Sequence, residues 1–293
     1  MRSFYGISLI LISAISYATL PIFTRWAYGL DISLNSFLFY RFFFSFLLVL
    51  IYTIIKKINI PSGKQFFTLF LLGALGYTGQ AFVYLSAVKY ASTGLVAILL
   101  YLYPAFVALI AIIFFKERIQ TATVIGLITA FIGTILILEP AGGQPLGFTL
   151  AIAAAMIYSV YITVNGKYLH NVNGIRSIVV IFGASALVLS FTFLTGEPQF
   201  SFTTEGWLVI LGCVVISTII PSITFLEGLK RIGAVQSSLL STVEPLVTVI
   251  LANWFFNEEL STRALLGGSL ILGTVIMLNV LQLRRTKLPN KTI

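Results

Sequence analysis

The chain repeats itself. Shifted by 141 positions, residues 4–138 fall on 145–279 without a gap. Gly6 meets Gly147, Tyr17 meets Tyr158, Leu85 meets Leu226, Lys89 meets Lys230 and Pro104 meets Pro245. Phe114, Phe115 and Glu117 meet Phe255, Phe256 and Glu258, and Gly126 meets Gly267. Each half holds five apolar runs, and five is odd. Five crossings of a bilayer turn the second half over relative to the first. Inverted repeats of this kind mark transporters that alternate access around a site between the repeats.

The composition places the chain in a membrane. Hydrophobic residues make up 58% of it and charged residues 9%, where a soluble domain is about a quarter charged. The net charge of +9 does not point to nucleic acid, because the basic residues sit in short loops between apolar runs and report orientation instead. Cys213 has no second cysteine to pair with, and His170 lies in a loop without a neighbouring cysteine or acid. Neither supports a metal site. No phosphate-binding glycine loop ending in Lys-Ser or Lys-Thr is present, so no nucleotide engine or other cofactor is expected. The first run, from Phe4 to Phe23, is read as a span and not as a cleaved signal, since its repeat partner is plainly a span.

A helix needs about 20 mostly apolar residues to cross the hydrocarbon core. Ten stretches qualify, near 4–23, 33–55, 66–88, 93–115, 122–138, 146–164, 175–194, 206–229, 234–256 and 263–282. The expected fold is therefore all-α and integral to the membrane, with ten transmembrane helices in two inverted five-helix repeats. The first repeat covers residues 1–140, the second 141–283, and a basic tail 284–293 follows. With the N-terminus in the cytoplasm, the inside collects 14 basic residues and the outside holds Arg25, Lys89 and Arg263, with Arg41 left within a span. That imbalance places both termini in the cytoplasm and the chain in the cell membrane.

Polar residues inside a membrane turn toward the bundle interior or toward water. Positions three, four and seven apart share a helix face. The first span carries Ser13, Ser16, Tyr17 and Thr24, the third Gly73, Tyr77, Gln80 and Tyr84, and the fourth Tyr101 and Pro104. The sixth carries Tyr158, Tyr161 and Asn165, the eighth Ser217, Pro221 and Thr224, and the ninth Ser237, Ser241, Glu244 and Thr248. These six spans are expected to wall a central cavity, with Tyr17, Tyr77, Gln80, Tyr84, Tyr101, Tyr158, Tyr161, Asn165, Ser241 and Glu244 as the substrate-binding set. A single serine or threonine could equally bond back to its own helix. Pro104, Pro221 and Pro245 fall near mid-span, where they serve as gating hinges or as static kinks. Small residues stripe the fifth span (Gly126, Ala130, Gly133) and the tenth (Gly267, Ser269, Gly273). Such stripes allow close helix packing, either between these two spans or across a homodimer.

Glu244 is the acid nearest the centre of a span, about 15 Å from either end at about 1.5 Å per residue. It suits a proton carrier, a counter-charge for a cationic solute, or a structural partner to backbone freed by Pro245. Arg41 reads as a structural residue reaching toward the outer interface, or as a contact for an anionic group.

The duplicated element from Tyr103-Pro104 to Phe114-Phe115-Lys116-Glu117-Arg118, matched by Glu244-Pro245 to Phe255-Phe256-Asn257-Glu258, resembles the drug/metabolite transporter superfamily and its EamA-type ten-helix members. The resemblance covers essentially the whole chain. It implies a secondary transporter of a small metabolite and no enzyme, most often an exporter of amino acids or related compounds. Uptake or exchange of a nucleotide-like or drug-like solute is the alternative. The first span lacks the acid on which the small four-helix multidrug relatives rely. A membrane enzyme would need a convergent nucleophile, base and metal ligands. A sensor would need a soluble domain or a long loop.

Overall fold

The structure is a computed structural model and describes residues 2–91, 93–138, 144–168, 172–192, 199–257 and 260–287. Among these it is helical, with no strand. In a hydrocarbon environment every backbone N–H and C=O must pair within its own segment, so long apolar runs become helices. They are α1 (Arg2–Tyr17), α2 (Leu20–Gly29), α3 (Leu34–Ile55), α4 (Gly63–Leu71), α5 (Thr78–Val88), α6 (Thr93–Leu100), α7 (Tyr103–Phe115) and α8 (Thr121–Leu138). The second half supplies α9 (Pro145–Tyr168), α10 (Gly174–Ser190), α11 (Thr204–Val214), α12 (Ile220–Ile232), α13 (Ala234–Leu240), α14 (Val243–Phe256) and α15 (Thr262–Lys287).

Joined end to end, these make eight candidate spans of at least 18 residues, with shorter apolar helices at Gly174–Ser190 and Thr262–Met277. Both shorter helices fall where the seventh and tenth runs were expected. The last helix continues to Lys287, past the expected bound of 282. His170, Glu258 and the tail beyond Lys287 lie outside the described residues. The outer surface is apolar: Trp254 is 78% exposed, Phe114 73% and Leu208 66%. A surface of that kind needs lipid to cover it.

Local features recur at the repeat spacing. Lys116 (φ 53°) and Asn257 (φ 54°), which are aligned residues, both adopt the left-handed conformation that ends α7 and α14. The fourth span breaks at Tyr101–Leu102 and the ninth at Ser241–Thr242. In each case a proline, Pro104 or Pro245, enters the first turn of the half-helix beyond the break, where its missing N–H costs least. The third and eighth spans each contain a π-helical turn, Leu72–Tyr77 and Val215–Ile219. A threonine hydroxyl closes each turn on the carbonyl five residues back: Thr78 Oγ1 donates to Gly73 O (2.9 Å) and Thr218 Oγ1 to Cys213 O (3.0 Å).

One feature does not recur. The first span breaks between α1 and α2, with Pro21 in the first turn of α2. The aligned residue of α9 is Ile162, and α9 runs unbroken for 24 residues.

The small-residue stripes meet within one chain. A methyl added to Gly133 would lie 2.7 Å from the Gly267 carbonyl oxygen, and one added to Gly267 would overlap the Gly133 carbonyl oxygen. The helices α8 and α15 therefore approach backbone to backbone at this crossing. Gly273 does not take part, since nothing lies within 4 Å of the methyl it lacks.

Candidate functional site

The site is built from a line of tyrosines. Tyr17, at the end of α1, shares hydrogen bonds with Ser222 Oγ (2.9 Å) and the Tyr77 hydroxyl (3.2 Å). The Tyr77 ring meets Phe42 at 5.4 Å and Tyr161 at 5.6 Å between centroids. Tyr161 stacks on Tyr158, one turn away on α9, at 6.0 Å and 10° between planes. Tyr158 meets Tyr103 edge to face at 4.8 Å, and Tyr103 lies 6.2 Å from Tyr101. Glu244, in the first turn of α14, lies within electrostatic reach of Tyr84, Tyr101, Tyr103 and Tyr158. Ring contacts thus run from Tyr77, beside the Tyr17 hydroxyl, to Tyr101 at the fourth-span break.

The polar ends of these side chains are open. Among the described residues the Glu244 carboxylate and the Gln80 amide make no hydrogen bond or ion pair, and Tyr84, Tyr101, Tyr158 and Tyr161 make no hydroxyl bond. Yet the only fully buried side-chain oxygen or nitrogen left without a partner among them is Ser237 Oγ. The unbonded groups must therefore border free space. Tyr17, Gln80, Tyr84, Tyr101, Tyr158 and Glu244 each keep part of their surface accessible although they lie deep within the spans. Orphaned polar groups packed against apolar atoms would each cost about 1–3 kcal/mol, so these ends call for water or a polar solute beside them.

Other expected members bond within their own helices, and Ser241 also meets the Tyr103 hydroxyl. Asn165 is 3% exposed and donates from Nδ2 to the Tyr161 carbonyl of its own helix (2.8 Å). Ser241 is buried and donates to Ser237 O (2.9 Å). Thr224 bonds back to Ile220 O (2.9 Å). Pro104 and Pro245 are buried at the two breaks, where Tyr101, Leu102, Leu239 and Thr242 line one apolar cleft. Pro221 keeps its helix continuous, and its carbonyl accepts Ser13 Oγ at 2.8 Å.

Arg41 explains how Pro221 is accommodated. Proline has no N–H for the carbonyl four residues back, which here belongs to Ser217. The Arg41 guanidinium donates to that carbonyl at 3.5 Å and, from Nε, to Thr218 Oγ1 at 2.7 Å. At 5% exposure, Arg41 is buried against the π turn of the eighth span, and does not reach out to the interface.

Tyr103 and Ser222 belong to the wall and escape helical periodicity. Two residues two apart on one helix point about 200° apart, so Tyr101 excludes Tyr103 from a shared face. The break at Tyr101–Leu102 removes that constraint. The π turn inserts extra backbone before Pro221, which brings Ser222 and not Thr224 to Tyr17. The proline three residues after Tyr101 was the available signal in the first case.

Chemically these residues offer aromatic faces for an apolar or aromatic group, hydroxyls and an amide for polar groups, and one carboxylate, a mixture of the kind found in small-molecule sites.

The chain is 26% identical over 274 residues to an uncharacterized transporter of Archaeoglobus fulgidus, covering 93% of this chain and 96% of that one. It is 34% identical over 116 residues to the aromatic amino acid exporter YddG of Escherichia coli, covering 36% of this chain and 39% of that one. A solved crystal structure of a protein, 21% identical, superposes with a TM-score of 0.79 over 98% of this chain and 99% of its own, and so shares the fold. The EamA-like transporter family matches twice, over residues 4–139 and again over 145–280. With both repeats matched, the protein belongs to the EamA-like transporter family and is a multi-pass membrane protein.

Proposed function

We propose that the protein is a ten-helix secondary transporter with inverted repeats, which carries a small metabolite through the tyrosine cavity by alternating access. Its solute is an amino acid or related compound with an aromatic or apolar side chain. It is moved outward across the cell membrane, with both termini in the cytoplasm. The observation that carries this reading is the set of unbonded polar ends around Glu244, which border free space deep inside the spans. Tyr17, Tyr77, Tyr84, Tyr101, Tyr158 and Tyr161 present ring faces to an apolar side chain. Aromatic pairs of that geometry contribute about 0.5–1.5 kcal/mol each beyond area burial. Gln80 bonds the polar end of the solute, and Glu244 either pairs with its ammonium group or carries a proton. The breaks at Pro104 and Pro245 let the half-helices beyond them tilt.

The name of the Escherichia coli relative supports the solute class, and the tyrosine wall supports it independently. The test is counterflow of labelled phenylalanine and tyrosine in liposomes. Uptake of label into solute-loaded proteoliposomes, absent from protein-free ones, is the expected result. Counterflow with none of the amino acids tested, by folded protein, would sink the solute class.

A further inference from the structure

We propose that the two ends of the cavity are closed by a matched pair of cation–aromatic clasps, one at each face of the membrane. The clasps deepen the alternating-access reading and rest on it. At the end of the first span, the Arg25 guanidinium carbon lies 4.0 Å from the centroid of Phe256, the last residue of α14. Trp26 adds edge contacts to Phe255 (5.2 Å) and Phe256 (6.3 Å). At the end of the sixth span, Lys167 Nζ lies 5.0 Å from the centroid of Phe115, the last residue of α7. Tyr168 meets the same ring edge-on at 6.1 Å, and Lys167 pairs with Glu117 at 3.7 Å.

The two clasps correspond. Phe115 and Phe256 are aligned residues of the repeats, and Lys167 falls one position beyond Gly166, the residue aligned with Arg25. Both rings are half-buried while the preceding Phe114 and Phe255 are exposed. Both rings are also fixed from behind by a left-handed residue, Lys116 or Asn257, that ends the helix. Five apolar helices separate the end of the first span from the end of the sixth. An odd number of crossings sets Arg25 and Lys167 at opposite faces.

The position of each clasp is mechanically apt. Phe115 and Phe256 lie at the tips of α7 and α14, the half-helices that begin just past the mid-span breaks. A tilt about either break moves the ring at the far tip most and leaves the cavity wall near the break almost in place. Each clasp joins a tip of one repeat to the first span of the other, so releasing one opens a single face. A cation over a ring at a part-exposed site holds weakly, which suits a contact that must break in every cycle.

The experiment uses the full chain with Cys213→Ala and a cavity reporter, Gln80→Cys, in sealed vesicles of both orientations. A membrane-impermeant maleimide is added outside, and solute counterflow is recorded in parallel vesicles of the same variants with Gln80 retained. Phe256→Ala is expected to speed labelling from the Arg25 face about two- to fivefold and slow it from the Lys167 face, the shift one exposed cation–aromatic contact can hold. Phe115→Ala is expected to do the reverse. Arg25→Gln and Lys167→Gln repeat the test without removing a ring, should either phenylalanine variant fold poorly. Unchanged rates in folded variants, or a rise from both faces at once, overturn the clasps; with counterflow intact, the transporter reading then stands. Absence of counterflow from the parent protein removes that reading and the clasps with it.

Discussion

Gly267 and Gly273 lie on the same helix, yet the same substitution is expected to act in opposite directions at the two. Alanine is favoured over glycine within a helix by about 1 kcal/mol. At Gly273 nothing lies within 4 Å of the added methyl, so Gly273→Ala keeps that gain. At Gly267 the methyl would overlap the Gly133 carbonyl oxygen and stand 2.9 Å from Ile137 Cγ1 and 3.0 Å from Leu136 Cβ. The first obstacle is backbone, which no side-chain rotation can clear, so α8 and α15 must separate. Overpacking costs typically about 1–3 kcal/mol, and a rigid obstacle puts this site in the upper half of that range. The net result is a loss of about 1–2 kcal/mol after the propensity gain is subtracted. For a chain of this size each kcal/mol moves the melting temperature by about 2–4 °C. Purified protein in detergent, heated at one fixed rate because unfolding there is commonly irreversible, is expected to melt about 2–8 °C lower for Gly267→Ala. The Gly273→Ala variant is expected to melt slightly higher than the parent. A Gly267→Ala protein as stable as the Gly273→Ala protein would refute the backbone-to-backbone crossing.

Arg41→Lys retains the charge but cannot reach both Thr218 Oγ1 and the Ser217 carbonyl with one planar group, and is expected to cost about 1.5–3 kcal/mol in the same melting assay. Tyr17→Phe removes two hydroxyl bonds, to Tyr77 and Ser222, and is expected to lower solute counterflow while leaving the folded yield nearly unchanged. Glu244→Gln keeps the shape of the side chain and removes its ionisation. If Glu244 carries a proton, the pH dependence of net transport disappears while exchange survives, and an unchanged pH profile in folded protein excludes that role. Cys213 is 0% exposed, so a thiol reagent is expected to modify the parent protein only as it unfolds, and rapid labelling below the melting transition would contradict its placement.

The sequence alone was enough for the duplication, the positions of the apolar runs and the small-residue stripes, because these depend on local composition and on a repeat that can be counted. Hydrocarbon leaves a backbone few choices, so run length translates directly into helix. Most of the tyrosine wall was legible for the same reason: Tyr77, Gln80 and Tyr84, or Tyr158 and Tyr161, keep one face wherever the helix is regular. That logic stops where regularity stops. The π turns of the third and eighth spans shift the register, and the breaks at Tyr101–Leu102 and Ser241–Thr242 reset it, so Tyr103 and Ser222 reach a wall that periodicity denies them. Asn165 shows the converse, since it shares the stripe of Tyr158 and Tyr161 but spends its amide on its own helix. Tertiary structure also decided what the isolated charges meet. Arg41 serves the carbonyl freed by Pro221, a residue 180 positions away in the chain, and no local pattern carries such a contact. The stripes of the fifth and tenth spans could have joined two chains; the approach of Gly133 to Gly267 joins them within one, because the fold brings those two carbonyls face to face.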